Sequence, residues 1–189
     1  MVFRPILATI FAIGLSLAMA VSGTAQAASK KSNAKSAPKE TPATGSGPQL
    51  VAQYGDWGVY VSNAKNKVCY ALSEPKSRAP KLSRDPGYFF VSTRPSENVR
   101  DEVSIVVGFE IKDGMDAALN IGGADYPLYT KNDSAWLKNA AEEGKLIDAM
   151  RKGHDLTVKS TSTRGNVTTD RYALSGISQA LDRAAQECK

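Results

Sequence analysis

Two cysteines, Cys69 and Cys188, are the residues of this chain whose chemistry is easiest to specify. In an oxidising compartment two thiols within one domain usually pair, and the C-x-x-C spacing that tunes a redox-active pair is absent. Unpaired thiols and an intermolecular bond remain as alternatives. His154 is the only histidine, so a Ser/His/Asp or Cys/His site would have to use it, and a histidine-based metal site would have a single such ligand. Its surroundings, Gly153-His154-Asp155, carry no G-x-S-x-G elbow, H-E-x-x-H pair or glycine-rich phosphate loop, and it reads as a surface loop residue following a helix. Asp113 and Asp116 lack the alternating ligands and terminal Glu of a calcium loop. Glu142-Glu143 suits the first turn of a helix, where the dipole favours acids. No catalytic, cofactor-binding or metal-binding residue is therefore expected.

A more promising feature lies between Glu74 and Asp85, where Lys76, Arg78, Lys81 and Arg84 are punctuated by Pro75, Pro80 and Pro86. The segment has little apolar content, so these four cations should contribute little to a core, and loops on a rigid scaffold are where binding residues concentrate. They form the candidate binding surface, with an anionic envelope or cell-surface polymer as the partner. Reversing all four to Glu should then leave stability almost unchanged. An ordinary solvated loop is the alternative.

The elements that must position these residues begin after a secretory leader. Arg4 supplies positive charge, Ile6 to Val21 is apolar, and Ala25-Gln26-Ala27 is a small-x-small cleavage site. The apolar run is shorter than the ~20 residues a membrane-spanning helix needs. Residues 28–48 are rich in Ala, Ser, Lys, Pro and Gly without apolar periodicity, the composition of a disordered linker. Arg4 and the linker's Lys30, Lys31, Lys35 and Lys39, against Glu40 alone, account for four of the net +5 charges. The rest of the chain is close to neutral, which argues against a nucleic-acid partner. Residues 49–189 are the size of one ordinary domain.

Within that domain, apolar residues alternate. Trp57, Val59 and Val61 form one run and Val68, Tyr70 and Leu72 another, while Tyr88-Phe89-Phe90-Val91 is a short buried strand between Pro86 and Pro95. Period two is strict from Val103 through Ile105, Val107 and Phe109 to Ile111. Asp113-Gly114 and Gly122-Gly123 then read as hairpin turns into Ala117–Ile121 and Tyr126–Tyr129, predicting a three-stranded meander. A helix over 140–152 stops at Gly153. Strands over 156–161 and 168–174 flank Arg164-Gly165-Asn166. Ile177, Leu181, Ala184 and Cys188 share one stripe of a final amphipathic helix. About eight strands and two helices predict a mostly β, sandwich-like domain. Cys188 then faces whatever this helix packs on. Cys69 shares its strand face with Ala71 and Ser73, opposite Val68, Tyr70 and Leu72, so that strand should be covered on both sides.

The domain resembles the invasion-associated locus B family of exported bacterial proteins over roughly residues 54 to 188. The resemblance is carried by Gly55-Asp56-Trp57, Val68-Cys69-Tyr70, Pro127-Leu128-Tyr129 with Ala135-Trp136, Leu146 to Gly153, Leu156-Thr157-Val158, Thr161 to Gly165, and Tyr172-Ala173-Leu174-Ser175-Gly176-Ile177 through Ala180-Leu181 to Cys188. It implies an all-β domain exported to the envelope, associated in certain pathogens with entry into host cells, with no known enzymatic activity and no catalytic residues to transfer. Many relatives carry an extra cysteine after the first tryptophan and a further pair mid-domain; this chain has neither. The resemblance thus implies a non-catalytic binding module of the envelope or a host surface. The alternative is a hydrolase or other enzyme with an unrecognised site, which a buried, pKa-shifted His154 or carboxylate in a cleft would favour.

Export should release a mature chain starting at Ala28. Intact-mass measurement of periplasmic protein checks this, and a species retaining Met1 would count against the leader.

Overall fold

In the computed structural model of the chain, residues 47–63 and 65–189 are described. The leader expected over 1–27 and all of the expected linker except Gly47 and Pro48 lie outside them.

Among the described residues, eleven antiparallel strands form one continuous sheet. In chain order they are β1 (Gln49–Tyr54), β2 (Trp57–Ser62), β3 (Val68–Ser73), β4 (Ser77–Ala79), β5 (Tyr88–Arg94), β6 (Val99–Val106), β7 (Ala117–Ile121), β8 (Ala124–Lys131), β9 (Ser134–Leu137), β10 (Asp155–Thr161) and β11 (Val167–Ala173). Helix α1 (Glu143–Lys152) precedes β10 and α2 (Ile177–Glu187) follows β11. The spatial order is β1-β2-β3-β5-β6-β9-β8-β7-β10-β11-β4. Only Glu74, Pro75 and Lys76 separate β3 from β4, yet β4 pairs with β11 at the far end of that order. The sheet therefore folds back on itself, and the fold is mostly β with two helices, the sandwich being made by one sheet rather than two.

The seam where the halves meet is held by Trp57. Its ring is fully buried, its Nε1 donates to Ala173 O at 2.9 Å, and it meets Phe89 edge-on at 5.8 Å. Phe89 in turn meets Tyr172 edge-on at 5.3 Å. Beside this cluster Gly176 adopts a φ of 92°, and a Cβ there would lie 2.1 Å from Tyr54 O. A side chain would force the β1–β2 turn away from the start of α2.

Three expectations need correction. The predicted meander does not form: β6 ends at Val106 and pairs with β5 and β9, while β7 pairs with β8 and β10. The cause is Gly108. Its φ is 75° and a Cβ would sit 2.1 Å from Asp85 O, so the chain leaves the ladder there despite the continuing alternation, and Ile111 only bridges Ser162. Gly122-Gly123 does make the β7–β8 turn, with positive φ at both. Second, β1, β4 and β9 were not separately legible. Third, Cys69, Ala71 and Ser73 face inward, while Val68, Tyr70 and Leu72 are half-buried on the outside. No further layer covers that outer face among the described residues. Tyr60 stacks on Tyr70 at 5.4 Å, and Tyr70 packs on Phe90 at 5.7 Å, so neighbouring strands shelter one another.

The two ends of the core differ. At one end α2 lies on β1, β2, β3 and β5, and α1 packs on β6 and α2. Ile177, Leu181, Ala184 and Cys188 are all buried, the stripe expected of them, and Cys188 bonds Cys69 with a Cα–Cα distance of 5.8 Å. At the other end the inward residues of β10 and β11 turn polar: Ser160, Thr168 and Asp170, with Ser162 just beyond, are buried, and the Ser160 and Thr168 hydroxyls are 3.0 Å apart.

The bond closes a sequence separation of 119 residues, for which the chain-entropy relation gives about 5 kcal/mol before any native strain is subtracted. Cys188→Ser should lower stability by roughly 2–5 kcal/mol in urea denaturation. Two thiols titrating in the unreduced, unfolded parent would remove the basis of this prediction.

Candidate functional site

The polar end of the core is organised by an aspartate shared between two arginines. Along β11, Thr168, Asp170 and Tyr172 alternate inward, so Asp170 places a carboxylate inside the sheet and must be compensated there. Arg84 compensates it. Its guanidinium donates to both carboxylate oxygens, with Nη1 3.1 Å from Oδ2, and both side chains are only 3% exposed. The same guanidinium lies 5.4 Å from the centre of the Phe109 ring, an attractive cation–π contact. Arg78 approaches from β4. Its Nη1 donates to Asp85 O at 2.8 Å and its Nη2 to Val107 O at 2.7 Å. Its Nε stands 3.5 Å from Asp170 Oδ2, an ion-pair distance without hydrogen-bond geometry. The Tyr172 hydroxyl is buried with no hydrogen-bond partner among the described residues; burial first, and then the Asp170 charge, push it well above the usual tyrosine range.

The four cations of the 74–85 segment are therefore not one exposed surface. Arg84 and Arg78 turn inward because Asp170 and the Asp85 and Val107 carbonyls need donors. Lys76 is exposed and pairs with Asp56, and Lys81 is exposed without a partner among the described residues. Reversal of all four to Glu would set a carboxylate against buried Asp170, so stability would not be spared. One trace of this was present in the sequence. Asp170 shares its register with Tyr172 and Leu174, and an acid in an apolar register calls for a buried cation.

Above the ion cluster an open cleft of about 610 Å³ is walled by three separate segments: residues 82–85, residues 108–110 and the β10–β11 turn at 162–166. The walls are tied together by backbone bonds from Asp85 N to Gly108 O (3.0 Å), Thr163 N to Glu110 O (3.0 Å) and Ser162 N to Asn166 O (3.0 Å). A smaller groove of about 420 Å³ runs along Gly58, Tyr60 and Leu72 beside the Asp56–Lys76 pair. His154 is exposed, and its carbonyl accepts from Leu174 N at 2.9 Å. No group of three or more His, Cys, Asp or Glu able to hold a metal occurs among the described residues. No helix among them is long and apolar enough to cross a membrane.

The family described as Invasion associated locus B (IalB) protein matches residues 60–185. The chain belongs to this family. Among solved structures it is similar to invasion associated protein b from Bartonella henselae, with 18% identity and a TM-score of 0.53 over 75% of this chain and 100% of that one. At that identity the likeness concerns the fold. No curated protein matches the chain. Two of the blocks that carry the family resemblance, Gly55-Asp56-Trp57 and Tyr172 to Ile177, meet at the seam: besides the indole bond, Asp56 N donates to Ser175 O at 3.4 Å. In this IalB chain their work is to close the sheet. The 82–85 and 108–110 walls of the cleft lie outside all the blocks.

Removing one partner of a buried ion pair costs about 3–5 kcal/mol, because the other charge is left uncompensated. Asp170→Ala strands two guanidinium groups, whereas Arg84→Ala leaves Asp170 beside Arg78. Asp170→Ala should accordingly lose about 3–5 kcal/mol in urea denaturation, and Arg84→Ala less. The reverse order would mean that Arg78 does not share the carboxylate.

Proposed function

We propose that this IalB protein is a non-catalytic binding module, exported by its leader to the periplasm or beyond the cell, which holds a partner of the cell envelope or of a host surface at the loop end of its sheet. The observation that carries this reading is the cleft. Three loops from different parts of the sheet are fixed around an open, polar cavity by a buried ion cluster, while the opposite end is filled by helices. Binding surfaces on β scaffolds have this arrangement of rigid frame and converging loops. Exposed His154 lies outside this cleft, and the cleft's own carboxylates, Asp85 and Glu110, belong to exposed residues rather than buried ones, which weighs against the hydrolase alternative. With Arg78 and Arg84 committed to Asp170 and to carbonyls, an anionic polymer would have to be met by Lys81 and by Lys76, the latter already paired with Asp56.

The immobilised mature protein should retain a component of envelope or host-membrane extract saturably and release it with its mass unchanged. Recovery of a cleaved product would overturn the non-catalytic reading. Absence of retention from either extract would overturn the binding one.

A further inference from the structure

The cleft has a lining whose chemistry narrows the ligand. Its charged side chains are Arg84 and Arg164 on one side of the balance and Asp85 and Glu110 on the other, and Arg78 and Asp170 beneath them add one charge of each sign. The cavity thus carries no net charge toward which an anion or a cation would be drawn. Arg84 is spent on Asp170. The Asp85 and Glu110 carboxylates, the Arg164 guanidinium and the Asn166 amide have no side-chain partner among the described residues, and all four residues are exposed. Each is planar and offers at least two hydrogen-bonding positions in its plane: the carboxylates accept, the guanidinium donates and the amide does both. Beside them Phe109, backed on its ring by Arg84, and Leu82, 40% exposed, supply a limited apolar patch. An apolar ligand would leave the planar groups without partners, at a desolvation cost of the kind that buried polar atoms incur.

A ligand that satisfies all of these at once is neutral, bears several adjacent hydroxyls that both donate and accept, and has a C–H face to lay on a ring. We propose that the cleft between residues 82–85, 108–110 and 162–166 is a binding site for a neutral sugar unit of a surface or envelope polysaccharide, with Glu110, Arg164 and Asn166 holding hydroxyls and Phe109 and Leu82 taking the apolar face. The cavity volume of about 610 Å³ lies within the usual range for small-ligand sites and accommodates a short oligosaccharide. The ion cluster below serves as the frame: by fixing Arg84, it presents Phe109 and the 82–85 wall without needing the ligand to order them. This inference rests on the binding-module reading and names the chemistry of its partner.

The test uses the mature protein and isothermal titration with neutral di- and trisaccharides of glucose, galactose, mannose and N-acetylglucosamine, together with sulfated counterparts and an acidic peptide. Glu110→Ala, Arg164→Ala and Asn166→Ala alter exposed loop side chains and should keep the parent's melting curve. The expected result is binding of at least one neutral sugar, weakened about tenfold or more by each variant and nearly unchanged between about 0.1 M and about 0.5 M salt, since a neutral ligand has little charge to screen. Preference for sulfated sugars with strong salt dependence would overturn the proposal, as would binding of the peptide alone. If the protein retains envelope material equally well with and without the three substitutions, the cleft assignment fails while the binding module stands. If neither sugars nor envelope material bind, both fail.

Discussion

A single antiparallel sheet has two free edges, and this one is kept from splaying by the indole of Trp57. Burying an indole requires a partner for its N–H. Here the acceptor is the Ala173 carbonyl of β11, at 2.9 Å, on the half of the sheet that follows last in the chain. The same ring packs on Phe89 and Phe89 on Tyr172, so β2, β5 and β11 meet in one aromatic cluster. The approach of backbone to backbone at Tyr54 and Gly176 is possible because Gly176 has no side chain. Everything else follows from closure. It leaves the core with two ends, and each has to be filled.

The ends are filled by different physics. At the α2 end the stabilisation is apolar burial, with Ile177, Ala180, Leu181 and Ala184 turned onto the sheet, and the disulfide limits how far the unfolded chain can expand. At the other end the Arg84–Asp170 pair is a poor source of net stability, because the cost of desolvating two charges largely cancels their attraction. What such a pair supplies is position. The guanidiniums of Arg78 and Arg84 bond the 82–85 wall, the carbonyl of Val107 and strand β11 into one unit. A greasy plug would hold the loops less specifically. The end that gives up apolar stabilisation is the one with the open cleft.

Much of this arrangement was legible because the inward register of several strands and the stripe of α2 are written in period two and in i, i+4, i+7 spacing. Leu156 and Val158, or Ile177 and Cys188, need no tertiary information to be placed. The failures have one common origin, which is that they depend on a partner distant in the chain. The alternation from Val103 to Ile111 is unbroken in hydropathy, yet Gly108 is pressed against Asp85 O and the ladder ends. Strand β4 is three residues long and exists because β11 is beside it. Arg78 and Arg84 read as solvated charge on a proline-rich loop until Asp170, some 86 positions on from Arg84, is brought beneath them. Of the cleft itself, the loop carrying Arg84 and the Arg164-Gly165-Asn166 turn were legible one by one, but not their meeting with residues 108–110, since that convergence is a property of the folded sheet.

Strand β3 shows why hydrophobicity by itself does not choose the inner face. Val68, Tyr70 and Leu72 are the more apolar set, yet they are the outer one, and Cys69, Ala71 and Ser73 face in. The selection is steric. A helix must lie against that inner face and be bonded to it through Cys69, and α2 presents Ala180 and Ala184 in the same way. Small residues on both surfaces let backbone approach backbone, whereas Tyr70 in that position would lift α2 off the sheet and break the geometry of the bond. The large side chains are then displaced outward, where cross-strand stacking of Tyr60, Tyr70 and Phe90 recovers part of the burial that a second layer would have given. A half-buried aromatic row on this outer face is therefore the steric consequence of packing a helix against the inner one.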